Sequence, residues 1–359
     1  MNLIERFDQF ILKERLFSAS DHLLLTISGG VDSVVLCDLC HLSGYSFRIA
    51  HCNFGLRGAE SERDEDFVKT LAKKYQVELL VKRFDTANYA KENGLSIQVA
   101  ARQLRYDWFY QVADVQYILT AHHADDNMET VLMNFFKGTG IAGLHGILPK
   151  QDRLVRPLLF ASKENILAYA KANGLNYVED SSNQSDKYTR NYFRNQLIPA
   201  LEKVYPEVKE NLHNNIARFR DTEVLYRQSV DQHKKKLMEY KGSDIHIPIL
   251  KLLKSHPVET ILYEIIKDFH FTPHQVKDIL QIAGGQSGKY IASSTHRVIS
   301  NRNWLIITPL KSEESALIVI EEKDGLVTYP GGQVKIKTIQ VTGLPSLDTD
   351  ASVGMMDAA

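Results

Sequence analysis

The segment best equipped for chemistry is Ser28-Gly29-Gly30-Val31-Asp32-Ser33. The apolar run Leu23-Leu24-Leu25-Thr26-Ile27 precedes it, and the helical run Val34-Val35-Leu36 follows. A short polar turn between a parallel strand and a helix N-terminus offers unpaired backbone N–H groups and the positive end of the helix dipole. That setting suits a phosphate. Gly29, Gly30 and Val31 supply main chain, the glycines allowing close approach to an anion. Ser28 and Ser33 add hydroxyl donors, and Asp32 could hold a magnesium ion bridging phosphate oxygens. The spacing matches neither GxxxxGK[ST] nor GxGxxG. A glycine turn with an Asp-Ser cap would explain an isolated Gly-Gly. The whole hexapeptide in its strand–helix setting outweighs that reading.

Other groups could work with such a loop. Asp126 and Glu129, three apart on one helix, share a face and could hold ammonium groups; an acidic first turn complementing the helix dipole is the plainer account. His122, in His122-His123, has no ligand pair at zinc spacing, so a structural role or a phosphate contact is expected instead. Arg102 could neutralise phosphate charge, whereas its neighbour Arg105 is read as solvated or ion-paired. Arg190 and Arg194, four apart, could grip RNA phosphates or an activated nucleotide, against the bland reading of a solvated basic face. Tyr188 and Tyr192 could stack on a base or simply pack. Lys234-Lys235-Lys236 reads as dipole complement at a helix end. Cys37 and Cys40 sit among Val34, Val35, Leu36 and Leu39, as buried small hydrophobes would.

These residues need a scaffold. The first ~160 residues alternate apolar strands with helical segments, the pattern of a parallel sheet covered on both faces. Strands are expected at 23–27, 47–50, 77–81 and 117–120. A helix over 126–137 has Met128, Val131, Leu132, Phe135 and Phe136 on one face and stops at Gly138; another spans 162–173. A long helix covers about 206–240, with further helices at 257–269 and 273–283. Strands follow at 289–291, 297–299, 304–307 and 334–339. The expected division is a catalytic α/β domain over 1–205, a helical then β substrate-binding domain over 206–312, and a partial β-rich domain over 313–359.

Composition sets outer limits. The 359 residues allow two or three domains, and 44% apolar with 24% charged residues is a globular balance. No run approaches the ~18 continuous apolar residues of a membrane span. Three cysteines cannot build a disulfide framework, which points to a reducing, cytoplasmic setting. With 43 basic and 44 acidic residues, any nucleic-acid surface must be a local patch.

SGGVDS resembles the PP-loop of the ATP pyrophosphatases, which split ATP between the α and β phosphates and transfer AMP. Further segments narrow the resemblance: His51-Cys52-Asn53-Phe54-Gly55-Leu56-Arg57-Gly58, Ala101 to Tyr106, Thr120 to Thr130, Gly138-Thr139-Gly140, Arg156-Pro157-Leu158-Leu159, Glu179-Asp180-Ser181-Ser182-Asn183 and Tyr188 to Arg194. In this order and spacing the series is similar to tRNA(Ile)-lysidine synthetases, densely over residues 20–200 and loosely beyond.

The resemblance implies a PP-loop α/β fold and a ligase. Such a ligase activates the wobble cytidine of an isoleucine tRNA with ATP, then replaces AMP by the ε-amino group of free lysine. ATP and Mg²⁺ are the implied cofactors; the implied partners are free L-lysine and isoleucine tRNA with a CAU anticodon. Asp32, Arg102 and Arg194 are the expected catalytic residues. Asp126 and Glu129 are expected to take lysine, Arg190 and Arg194 the tRNA or activated nucleotide, and His122 substrate. A dimer is the expected assembly. The alternatives are a tRNA thiolase of the same superfamily, which the placement of the cysteines disfavours, and a nucleotide-binding sensor without catalysis. Residues 316–359 resemble only the opening strands of the basic C-terminal domain usual in bacterial members, so either a truncated piece of a longer protein or a shortened member is expected, and tRNA recognition is the part this puts in question.

Overall fold

The computed structural model describes residues 2–178, 189–285, 287–310, 325–329 and 332–336. The chain forms two compact units, Met1–Gln228 and Ser229–Ala359. Among the described residues no helix is long and apolar enough to cross a membrane.

The first unit is an α/β layer structure, as the alternating pattern requires. Strands β1 (Leu23–Thr26), β2 (Phe47–Asn53), β3 (Leu79–Arg83), β4 (Tyr117–Leu119), β5 (Lys150–Gln151) and β6 (Leu154–Val155) form one sheet in the order β3-β2-β1-β4-β6-β5. All pairings are parallel except the edge pair β5–β6. Central β1 is apolar and buried along Leu23, Leu24 and Leu25, as a strand covered on both faces must be. The chain adds β2 and β3 on one side of β1 and then returns to place β4 on the other. That reversal opens a crevice at the carboxyl ends of β1 and β4, the usual ligand position of such sheets.

Helices α1 (Leu3–Lys13), α2 (Val31–Leu42), α3 (Ala59–Tyr75), α4 (Thr86–Glu92), α5 (Ile97–Gln111), α6 (Ala124–Lys137), α7 (Ile141–Leu144) and α8 (Lys163–Ala172) complete the layers. Leu36, Leu39, Cys37 and Cys40 of α2 sit in the main core with Phe7, Leu25, Ile49 and Leu158. Gly138 ends α6 in the left-handed conformation at φ 69°, where a side chain would be strained.

Two expectations need correction. The apolar face of α6 does not stay buried to its end: Met128 and Val131 are covered, but Phe135 and Phe136 are 63% and 66% exposed. Helical periodicity continues past the point where the core stops, and the two rings pack instead on each other, with Phe136 also against Phe193. The strand expected at 77–81 begins at Leu79 and ends at Arg83, its register set by pairing Ile49 with Leu79.

From residue 189 onward, α9 (Thr189–Tyr192) runs through a π-helical turn (Phe193–Leu197) into α10 (Ile198–Val204) and then α11 (Val208–Leu237). The motif Glu179 to Asn183, and Tyr188, lie outside the described residues.

In the second unit, β7 (Glu239–Lys241), β8 (Asp244–Pro248), β9 (Tyr290–Ala292), β10 (His296–Asn301) and β11 (Trp304–Pro309) form an antiparallel sheet ordered β7-β8-β11-β10-β9. Alternate residues Ile245, Ile247, Leu305 and Ile307 face α12 (Ile249–Leu253), α13 (Val258–Ile266) and α14 (Gln275–Ala283), meeting Leu252, Ile261, Ile265 and Ile279 in a second core. A separate hairpin pairs β12 (Leu326–Tyr329) with β13 (Gly332–Lys335). The rest of the strand expected at 334–339 falls outside the described residues after Ile336.

Candidate active site

The phosphate loop emerges from β1 and leads into α2 as its sequence requires. Gly29 takes φ 96°, a conformation that side chains rarely adopt, and its carbonyl accepts from the Val178 amide at 2.9 Å. Gly30 begins α2 without a side-chain cap, so the first-turn amides keep their capacity for an anion. The Ser33 hydroxyl donates to the Gly30 carbonyl at 2.8 Å, and Ser28 and Ser33 stand 3.4 Å apart.

An open cavity of about 440 Å³ lies over the loop. Ser28, Asp32 and Ser33 line it on one side and His122, Asp126 and Arg190 on the other, with Cys52, Phe54, Arg105 and Tyr106 between. Segments from the ends of β1, β2 and β4 and from α5 therefore share one crevice.

On the far wall, α6 places Asp126 and Glu129 one turn apart, and α9 with the π-helical turn brings Arg190 and Arg194 against them. Arg194 donates through Nε to Glu129 Oε1 at 2.6 Å, and through Nη2 to Glu129 Oε2 at 3.1 Å and Asp126 Oδ1 at 3.2 Å. Arg190 Nε lies 3.1 Å from Glu129 Oε2, and its Nη2 donates to Thr130 Oγ1 at 2.7 Å. The acidic pair and the basic pair, expected in separate roles, are thus bonded to one another. Burial pushes the Glu129 carboxyl pKa up, with Arg194 and Arg190 pulling against it. Burial also works against the Asp126 charge, but His123, His122 and Arg190 hold that carboxyl below its usual range.

The two histidines differ. Burial lowers His122 to about 4, with Arg156, Arg190 and Arg102 adding to the fall and Asp126 opposing it. It is neutral near pH 7, its Nδ1 paired with the Thr120 hydroxyl at 2.8 Å. His123 is buried, yet Asp125, Asp126 and Asp32 raise it above the ordinary histidine value. Its Nε2 lies 3.5 Å from Asp126 and 3.8 Å from Asp32, linking the two walls.

Arg102, expected at the phosphates, is exposed and stacks on Tyr106 at 4.9 Å, one step from the cavity lining. Arg105, expected to be solvated or ion-paired, lies over the Phe54 ring at 5.2 Å and lines the cavity. Three residues apart on α5, both lie toward one side of the helix, and only packing separates them. Lys163 was not singled out either, though its Nζ stands 2.6 Å from Asp32 Oδ1. One signal was available: a lysine at the first position of a helix opposes the helix dipole and asks for a reason.

Two family models match the chain, in separate stretches. A family described as a PP-loop domain matches residues 1–201, and one described as a TilS substrate binding domain matches residues 240–310. The tRNA(Ile)-lysidine synthase of Bacteroides thetaiotaomicron is 40% identical over 317 residues, which cover 88% of this chain and 74% of that protein. Its counterpart in Parabacteroides distasonis is 39% identical over 331 residues, 91% of this chain and 75% of that one. Among solved structures, the U34-tRNA thiolase NcsA of Methanococcus maripaludis is 19% identical with a TM-score of 0.48, covering 60% of this chain and 78% of that one. By its matched domains and relatives, this chain belongs to the tRNA(Ile)-lysidine synthase family of ATP-binding, tRNA-modifying ligases.

Proposed function

We propose that this protein adenylates the wobble cytidine of an isoleucine tRNA with CAU anticodon and replaces the AMP with the ε-amino group of free lysine. The observation that carries the reading is the single cavity lined by both the phosphate loop and the Asp126 side of α6. Loop amides and the α2 dipole would take the β and γ phosphates, leaving the α phosphorus toward the cavity. Cytidine O2 attacks that phosphorus and diphosphate departs; the lysine amine then attacks C2 and AMP departs. Holding the reactants in one crevice is the main contribution expected of such a site.

Free lysine brings ammonium charge, and Asp126 and Glu129 are the carboxylates suited to it, provided Arg190 and Arg194 yield their places. Neutral His122 offers an imidazole nitrogen near pH 7, a fit for holding an amine without charging it. Among the described residues no group of three or more ligating side chains could cage a metal. Magnesium commonly binds through one or two carboxylates plus substrate phosphates, so Asp32 fits an ion that arrives with ATP. Bound there, Mg²⁺ would offset phosphate charge.

A thiolase reading finds less support. Cys37 and Cys40 are fully buried, and burial raises both thiols well above the ordinary value. Cys52 lines the cavity, but burial pushes it up to about 12, leaving little thiolate. The decisive experiment combines purified protein, ATP, Mg²⁺, labelled lysine and isoleucine tRNA. Pyrophosphate release with label in the tRNA is expected; sulfur incorporation, or no ATP cleavage, would reject the proposal.

A further inference from the structure

The phosphate loop contains no lysine, unlike GxxxxGK[ST], and its one charged side chain is the carboxylate of Asp32. A diphosphate arriving beside Asp32 meets a like charge, and a magnesium ion arriving with it would offset only part of the phosphate charge, which leaves a place for a cation of the protein itself. Of the arginines facing the cavity, Arg190 is ion-paired with Glu129, as is its neighbour Arg194, and Arg105 lies over Phe54.

Lys163 is placed differently. It opens α8, where the positive end of the helix disfavours a cation. Its main-chain N–H donates to Asp125 Oδ2 at 2.7 Å, which ties the start of α8 to the start of α6. From that anchor the side chain reaches the loop and donates from Nζ to Asp32 Oδ1 at 2.6 Å. Both side chains remain about a third exposed, at 37% and 30%, so a ligand entering from the cavity can reach the ammonium group. A pair this exposed contributes only about 0–1 kcal/mol to folding, no more than the roughly 0.3–1 kcal/mol that a cation at a helix N-terminus forfeits, so stability gives no net reason for a lysine here.

We propose that Lys163 is the missing cation of the phosphate loop: it screens Asp32 in the free protein and turns to the β and γ phosphates of ATP, then to the departing diphosphate. The inference rests on the reading that this loop takes ATP, and it extends that reading to a residue 131 positions from the loop.

Lys163→Gln and Lys163→Arg test it, with binding of ATP, AMP and inorganic pyrophosphate measured on the full chain. Lys163→Gln should weaken ATP and pyrophosphate about tenfold or more while AMP, which lacks the outer phosphates, changes less than about twofold. Lys163→Arg should recover most of the loss. Unchanged pyrophosphate affinity in Lys163→Gln would overturn the inference. So would an equal loss of AMP and pyrophosphate, or an equal loss in both variants with a lowered melting temperature, since each describes a structural prop. Wild-type protein that binds ATP and pyrophosphate but adds no lysine to tRNA would sink the proposed reaction and leave the role of Lys163 standing on its binding data.

Discussion

The two walls of the cavity are built on opposite electrostatic plans. The loop wall is main chain and hydroxyl, with one carboxylate screened by one lysine, and what it offers an anion is amides and a helix end. The α6 wall is a knot of full charges: Asp126 and Glu129 against Arg190 and Arg194, with Glu129 almost wholly buried. A wall of dipoles accepts a charged ligand with little rearrangement. A wall of paired charges must give up one partner for another, so binding there is an exchange.

That contrast can be broken experimentally. The largest effect is expected from Glu129→Gln, which takes the carboxylate from Arg190 and leaves Arg194 with Asp126 alone. A broken buried pair costs about 3–5 kcal/mol, and the partial exposure of both arginines sets the expectation at about 3 kcal/mol. Chemical denaturation reads this directly, and a loss under about 1 kcal/mol would mean the knot is not the stabilising unit its geometry describes. Dependence on lysine concentration should shift further than dependence on ATP.

Asp32→Ala, on the loop wall, should behave in the reverse way. Stability should change by less than about 1 kcal/mol because the Asp32–Lys163 pair is partly exposed, while pyrophosphate release falls about a hundredfold or more. Near-normal release would remove Asp32 from the mechanism.

His122 sharpens the boundary between the walls through pH. Its folded value, about 4, lies below the ordinary 6.5, so the unfolded chain takes up the proton first. The stability it contributes is therefore complete above about 6.5 and is lost as pH falls toward 4. In His122→Asn the stability profile should be flatter over that window than in wild type; identical slopes would show that other groups carry the dependence. The smallest effect is expected at Gly29→Ala. A Cβ there meets Phe67 at an ordinary 3.5 Å, so the penalty is conformational, at φ 96°, and about 1 kcal/mol. Retained melting temperature together with retained ATP affinity would show that the loop tolerates another backbone path.

The sequence exposed these walls unevenly. The loop was legible because its chemistry is contiguous: six neighbouring residues between a strand and a helix state both the turn and the helix end. The pairs Asp126–Glu129 and Arg190–Arg194 were legible one at a time, since helical spacing puts each on a face. Their union was not, because residues 60 or more positions apart meet only once α9 and the π-helical turn lie against α6. The choice between Arg102 and Arg105 shows the same limit over three residues.

By itself, the order of apolar runs, glycines and polar turns determined a parallel α/β layer with a phosphate loop after its first strand, because local periodicity and backbone freedom act over a few residues. Tertiary structure alone decided which charges neutralise which. Lys163 reaches Asp32, Arg194 closes on Glu129, and Cys52 rather than Cys37 faces the cavity, because side-chain partners are fixed by the packing of helices whose separation along the chain carries no record of it.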